Sequence, residues 1–163
     1  MAHAFSTWIQ STSLSWFVKH YPWVWPACET LHFIALCFLF GVIALVDLRL
    51  VGLLKKVPFG PLHKLIPWAI GAFAINTITG IMFFAGDPFQ YVDNISFQLK
   101  MVFMALAGIN VFVFYFTFYK QTEHLEAGQD TPFGAKIVGA TSLFLWIGVM
   151  YFGRMLPYIG NAF

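Results

Sequence analysis

The chain has 163 residues, 60% of them hydrophobic and 20% aromatic, and only 10% charged; a soluble domain carries about 25% charged residues, so most of this surface is made for lipid. Nine basic and seven acidic side chains leave a net charge of +2, spread along the chain without a basic stripe, which excludes a nucleic-acid binder. Cys28 and Cys37 lie nine residues apart in one apolar run, about 13 Å along a helix, which excludes a disulfide scaffold, and no CxxCH motif for covalent haem is present.

From the N-terminus, residues 6–20 set Trp8, Ile9, Leu14, Trp16, Phe17 and Val18 among Ser and Thr. That pattern predicts an amphipathic helix lying in the membrane interface, and it lacks the basic start and compact apolar core of a cleaved signal. Four apolar runs follow at 27–46, 65–85, 97–119 and 134–156, each of a length that crosses a bilayer. The linking segments Asp47 to Lys64, Gly86 to Ser96 and Lys120 to Phe133 are short and punctuated by Pro and Gly, so sequence neighbours run antiparallel. The expected fold is an all-α integral membrane protein, a single domain over 1–163: an antiparallel four-helix bundle with an N-terminal interfacial helix. Trp23, Trp25, Trp68, Tyr21 and Tyr91 suit an aromatic belt.

Orientation follows from the basic residues, which are retained in the cytoplasm. The first and third loops carry Arg49, Lys55, Lys56, Lys64, Lys120 and Lys136, against Lys19, Lys100 and Arg154 on the other side. Both termini are therefore expected outside, in the periplasm if the membrane is a bacterial inner membrane.

Ionisable groups inside a bilayer are costly and mark function by default. His32 is the one histidine within any of the four apolar runs, about 7 Å below the outer boundary at helical rise. Neutral imidazole ligates haem iron, zinc or copper; the competing reading is a hydrogen bond that holds helices together. His63 and His124 belong to the opposite side, a bilayer thickness away. A second axial ligand for haem b is then left to His20 folding in from the interfacial segment, to a methionine at matching depth, or to His32 of a second subunit in a homodimer. Glu29, Lys100 and Arg154 fall at similar depth, suited either to haem propionates, a quinone carbonyl and proton transfer, or to mutual neutralisation and snorkelling.

A competing ligand set is softer. Met101 and Met104 share a helix face and, with Cys28 and His32, offer thioether, thiol and imidazole groups that suit Cu(I), although methionine is also ordinary gap-filling core. Glu29-x-x-His32 is half of a di-iron carboxylate motif, but the further Glu residues and the second copy are missing. Asn76, Thr77, Thr79, Asn110, Thr141 and Ser142 read as interhelical hydrogen bonds. Asp47 and Arg49 close the first span, with Arg49 suited to the helix C-terminal dipole. No P-loop, GxGxxG, H-E-x-x-H or Ser-His-Asp pattern occurs.

The runs ETLHFIALCFLFGVIALVDLRLVGL (29–53), LIPWAIGAFAINTITGIMFF (65–84) and NISFQLKMVFMALAGIN (94–110) resemble an uncharacterised family of small four-helix bacterial inner-membrane proteins. That family lies near copper-resistance D-type membrane proteins and b-type cytochromes. The resemblance implies the four-helix fold. Many members end the third helix N-x-x-x-F-H, where this chain has Tyr115. Together these readings predict a membrane electron-transfer protein that holds haem b near the outer face and exchanges electrons with quinone or a periplasmic partner. The alternatives are a copper-binding or copper-transport protein and a cofactor-free subunit of a larger membrane complex.

Overall fold

The computed structural model describes residues 2–159, with side chains from residue 4. Among them the only regular structure is helical. The helices are α1 (Ala2–Gln10), α2 (Ser13–His20), α3 (Val24–Val51), α4 (Phe59–His63), α5 (Ile66–Gly86), α6 (Pro88–Val92) and α7 (Ile95–Val113). A π-helical turn (Phe114–Phe118), α8 (Tyr119–Thr122) and α9 (Phe133–Met155) complete the chain. The spans Val24–Val51, Phe59–Gly86, Ile95–Thr122 and Phe133–Met155 are long and apolar enough to cross a membrane, and the protein is a multi-pass membrane protein in contact with lipid.

Two expectations change. The interfacial segment 6–20 is two helices, because Thr12 ends one and caps the next: its Oγ1 bonds the Ile9 carbonyl at 2.6 Å and accepts from the Ser15 amide at 3.3 Å. These helices are also less superficial than amphipathicity alone implies, since Ser6 and Ser15 are fully buried, α1 packing on α6 and α2 on α5. The short helices α4 and α6, read from sequence as loop, differ at their starts: Pro58 caps α4 in an extended conformation, and α6 starts on Pro88, where the fixed φ of proline suits a first turn.

In lipid, helices gain little from hiding apolar surface, so association rests on close packing and hydrogen bonds. The contacts run in a row, α5 to α3, α3 to α9 and α9 to α7. All are antiparallel: Thr79 meets His32, Ser142 lies beside Asp47, and Asn110 Nδ2 donates to the Val138 carbonyl at 3.1 Å. The helix α9 is the centre because it offers glycine to both neighbours. A Cβ at Gly139 would lie 2.9 Å from Leu50 Cβ, and one at Gly148 would lie 2.2 Å from the Phe103 ring. Between α3, α5, α7 and α9 sits a core of Leu39, Val42, Ala72, Ala107, Leu145 and Trp146. Outward-facing Ile78, Ile109, Phe112 and Phe144 are exposed, as a lipid-facing surface requires.

We call the end bearing α1, α2 and α6 the terminal end, and the other the loop end. At the loop end Gly52 closes α3 with φ +99°, a left-handed conformation that glycine adopts without strain. Next to it Arg49 is completely buried. Its guanidinium donates to the carbonyls of Val57 (2.6 Å), Glu126 (3.1 Å) and Gln129 (3.2 Å) and to Thr131 Oγ1 (3.2 Å). The charge sits at the negative end of α3 and ties two loops together; it is a structural clamp as well as the dipole partner expected. Above it, exposed Asp130 pairs with Lys55 (3.0 Å) and Lys136 (2.9 Å).

Arg49→Ala strands three loop carbonyls and is expected to cost about 3 kcal/mol, measured by denaturant titration in detergent. Arg49→Lys should recover little, since one ammonium lacks the planar fork that serves four acceptors. The hydrogen bonds from Lys136 and then Lys55 hold the Asp130 carboxyl well below the usual carboxylate range. A depressed folded value means that this stabilisation is present above the unfolded value and fades as pH falls through the folded one. The unfolding midpoint should therefore drop on acidification below about pH 4, modestly and less in high salt, and Asp130→Asn should flatten that limb.

Candidate functional site

The row of helices does not close. Whereas α3 packs on α5 and α9, and α9 on α7, α5 and α7 make no extended contact with each other. Between them, in the half of the bundle toward the terminal end, lies a cavity of about 650 Å³, within the range of small-molecule and cofactor sites. Its floor is α3 (His32, Leu36, Leu39) and α9 (Trp146, Val149, Met150). One side is α5 (Phe73, Asn76, Thr77, Gly80), the other α7 (Phe97, Lys100, Met101, Met104), with Gln90 and Tyr91 of α6 at the mouth.

His32 is held in a defined state. Its Nδ1 lies 2.7 Å from Thr79 Oγ1, and its ring meets Phe83 edge-on at 5.5 Å. The Thr79 hydroxyl is itself directed to the carbonyls of Ile75 (2.8 Å) and Asn76 (3.1 Å) on its own helix. A hydroxyl has one proton, so with that proton on a carbonyl Oγ1 accepts from His32 Nδ1–H. In that arrangement the imidazole carries its lone pair on Nε2, and a fixed hydrogen bond on one nitrogen readies the other for a metal or a proton.

The charged groups gather toward the mouth. Lys100 lays its alkyl stem on Gly153, whose missing side chain leaves Cδ and Cε 3.7 Å from where a Cβ would stand, and its ammonium is within electrostatic reach of His32. Arg154 reaches the Tyr158 hydroxyl at 3.4 Å and stacks over that ring at 5.5 Å. Among the described residues neither cation has a carboxylate within 4 Å. Glu29 lines the same mouth. Burial, with the carboxylates of Asp87 and Glu29 nearby, pushes the Tyr91 phenol up to about 12, so Tyr91 stays a protonated hydrogen-bond donor.

Of the residues singled out from sequence, His32, Glu29, Lys100, Arg154, Met101 and Met104 all line this one cavity. His20 and Cys28 do not. His20 is exposed and stacked on Trp16 at 4.4 Å. Cys28 is buried with Val18 and Val24, its Sγ 3.4 Å from Met82 Sδ. His63 is at the loop end against Tyr119 and Tyr115, with ring centroids 4.8 and 6.0 Å away. No three His, Cys, Asp or Glu side chains converge on a metal position among the described residues. Thr79 does bond across helices as expected, but Asn76 and Thr77 bond back to Ala72 and Phe73 of α5. Sequence reasoning missed Tyr91 and Gln90 as wall residues; α6, short and lacking a readable period, gave no signal.

A family described as a family of unknown function (DUF6644) matches residues 5–160, and the chain belongs to that family. No curated protein and no solved structure matches the chain significantly. The family assigns no activity, so the chemistry of the cleft has to be read from its own residues.

Thr79→Val keeps the shape of the side chain and removes the acceptor for Nδ1–H. Imidazole ¹⁵N shifts of His32 should report a single tautomer in the native protein and a mixture in the variant, with the fold unchanged; one tautomer in both would show that Thr79 does not set it.

Proposed function

With membership of a family without assigned activity as the premise, we propose that the cleft is a cofactor site holding a haem b with His32 Nε2 as an axial ligand, and that the protein is a small membrane electron carrier. The observation that carries this reading is His32, its Nδ1 2.7 Å from Thr79 Oγ1, at the floor of a cavity of about 650 Å³ that also presents two cations with no ion pair among the described residues. Haem fits the wall in three respects: apolar sides of Phe, Leu and Met for the macrocycle, Lys100 and Arg154 for its propionates, and the buried Nε1–H of Trp146, which has no protein partner. When bound, the haem supplies one-electron chemistry, and the protein's part is ligation, orientation and electrostatics.

For the second axial position His20 loses support, because it lies outside the cleft. Met101 and Met104 gain it, since both line the cavity, and His32 of a second copy stays open for a homodimer. In this reading Glu29, at the mouth, passes a proton to or from a quinone, and Tyr91 beside it serves as a hydrogen-bond donor. The bias of Lys and Arg toward the loop end supports an inner-membrane placement with the terminal end, and both termini, in the periplasm, where a soluble redox partner would approach.

The copper reading is favoured by one observation, that Met101, Met104 and His32 share this cavity, although Cys28 drops out of the ligand set. One preparation separates the readings. The mildly solubilised protein should show a Soret band and a sharp α band on reduction, and His32→Ala should lose at least about nine-tenths of that absorbance, a tenfold loss in affinity being 1.4 kcal/mol, while helical content stays native. A flat spectrum overturns the haem reading. Stoichiometric copper lost on joint replacement of Met101 and Met104 then establishes copper handling, and a colourless, metal-free protein purifying with other subunits establishes a structural role.

A further inference from the structure

The gap between α5 and α7 has a consequence for how the cleft is filled. On the two helices that flank the gap, three large apolar residues that line the cavity are exposed: Phe73 at 39% and Ile81 at 54% on α5, and Met101 at 43% on α7. They lie within the apolar spans Phe59–Gly86 and Ile95–Thr122, so what they face outside is hydrocarbon, and the cavity opens to it. Gly80 stands on this rim, and a Cβ there would meet nothing within 4 Å; Phe84 stacked on Phe97 at 5.9 Å bridges the gap toward the terminal end, and the stretch at Gly80 is open.

Toward the terminal end the same cleft carries an excess of positive charge. Lys100 and Arg154 face one carboxylate, Glu29, and neither cation is ion-paired among the described residues. An unpaired cation at membrane depth is costly and calls for a counter-charge. The polar groups lie toward the terminal end and the apolar rim lies beside the hydrocarbon, so the cleft has the polarity of an amphiphile set down head first.

We propose that the cleft is loaded sideways from the bilayer, through the gap between α5 and α7, by a lipid-dissolved amphiphile with an anionic head that comes to rest against Lys100 and Arg154. This rests on reading the cleft as a ligand site and does not require that the ligand be haem. A carboxylate-bearing macrocycle and a fatty-acid-like lipid share the recognised chemistry, a carboxylate on an apolar body.

The test uses the full chain in phosphatidylcholine vesicles containing a fatty acid with a photoactivatable group on its tail. On illumination, adducts are expected on the cleft floor at Leu39 and Trp146 as well as on the outer faces. Gly80→Trp, which fills the rim, should lower floor labelling about tenfold, and Lys100→Gln should lower it by a similar factor, the equivalent of about 1.4 kcal/mol. Ile147→Trp, on the exposed face of α9 away from the gap, should leave it unchanged. Adducts confined to outward-facing residues, or floor labelling that Gly80→Trp leaves at the native level, would overturn the proposal. Added haem that suppresses floor labelling identifies the macrocycle as the preferred occupant. Floor labelling in a protein that binds no haem would leave the lateral route standing while the haem reading fails.

Discussion

The close approach of α9 to two helices at once governs the rest of the structure. Gly139 brings α3 to within a methyl group of α9, and Gly148 admits the Phe103 ring of α7. With both neighbours drawn to one helix, α5 is left to pack on the far side of α3 and makes no extended contact with α7, touching it through Phe84 on Phe97 at 5.9 Å. In water an open side would cost a great deal of exposed apolar surface; in lipid it costs little, because hydrocarbon solvates an Ile or Phe side chain about as well as protein does. The cleft is thus a product of small residues on one helix and of the solvent.

The polar groups of the cleft follow from the same register. Antiparallel packing of α3 on α5 sets the fourth turn of α5 opposite the third of α3, and Thr79 meets His32 there. A threonine hydroxyl that gives its proton to its own helix, an ordinary back-bonding interaction, leaves Oγ1 to accept from the imidazole and so links the helix backbone to the histidine tautomer. On the other side, α9 lacks a side chain at Gly153, and Lys100 lies along the vacated strip. Neither arrangement asks for strain: all described non-glycine residues keep negative φ.

Much of this was legible in the sequence, and what was not has physical reasons. Span length and charge depletion report directly on the bilayer, so the four spans were placed within a few residues. Depth is also one-dimensional; it grouped His32, Glu29, Lys100 and Arg154, and all four line the one cavity. Rotation about each helix axis is a packing property. An almost uniformly apolar helix such as α3 carries no periodic signal for it, which is why Cys28 and His32, one turn apart, could not be told apart: one faces Met82 and the other the cleft. The missing contact between α5 and α7 was invisible for the same reason, and with it the cavity. The break at Thr12 left a local signature, a capping threonine, but the amphipathic pattern runs through it.

Two cations inside the apolar region show how structural and functional charge differ. Arg49 and Lys100 look alike in the sequence, each a single basic residue at the edge of a span. Arg49 is fully buried, and its donors are met by three carbonyls and a hydroxyl, so the protein itself answers the charge and nothing further has to bind. Lys100 sits in a cavity wall, its stem against a glycine and its ammonium without an ion-paired carboxylate among the described residues. A charge that the fold completes holds the fold together. A charge that the fold leaves incomplete, beside an imidazole with a free lone pair, defines what must come from outside: a molecule that is apolar enough to live in the bilayer and brings a negative group to its end.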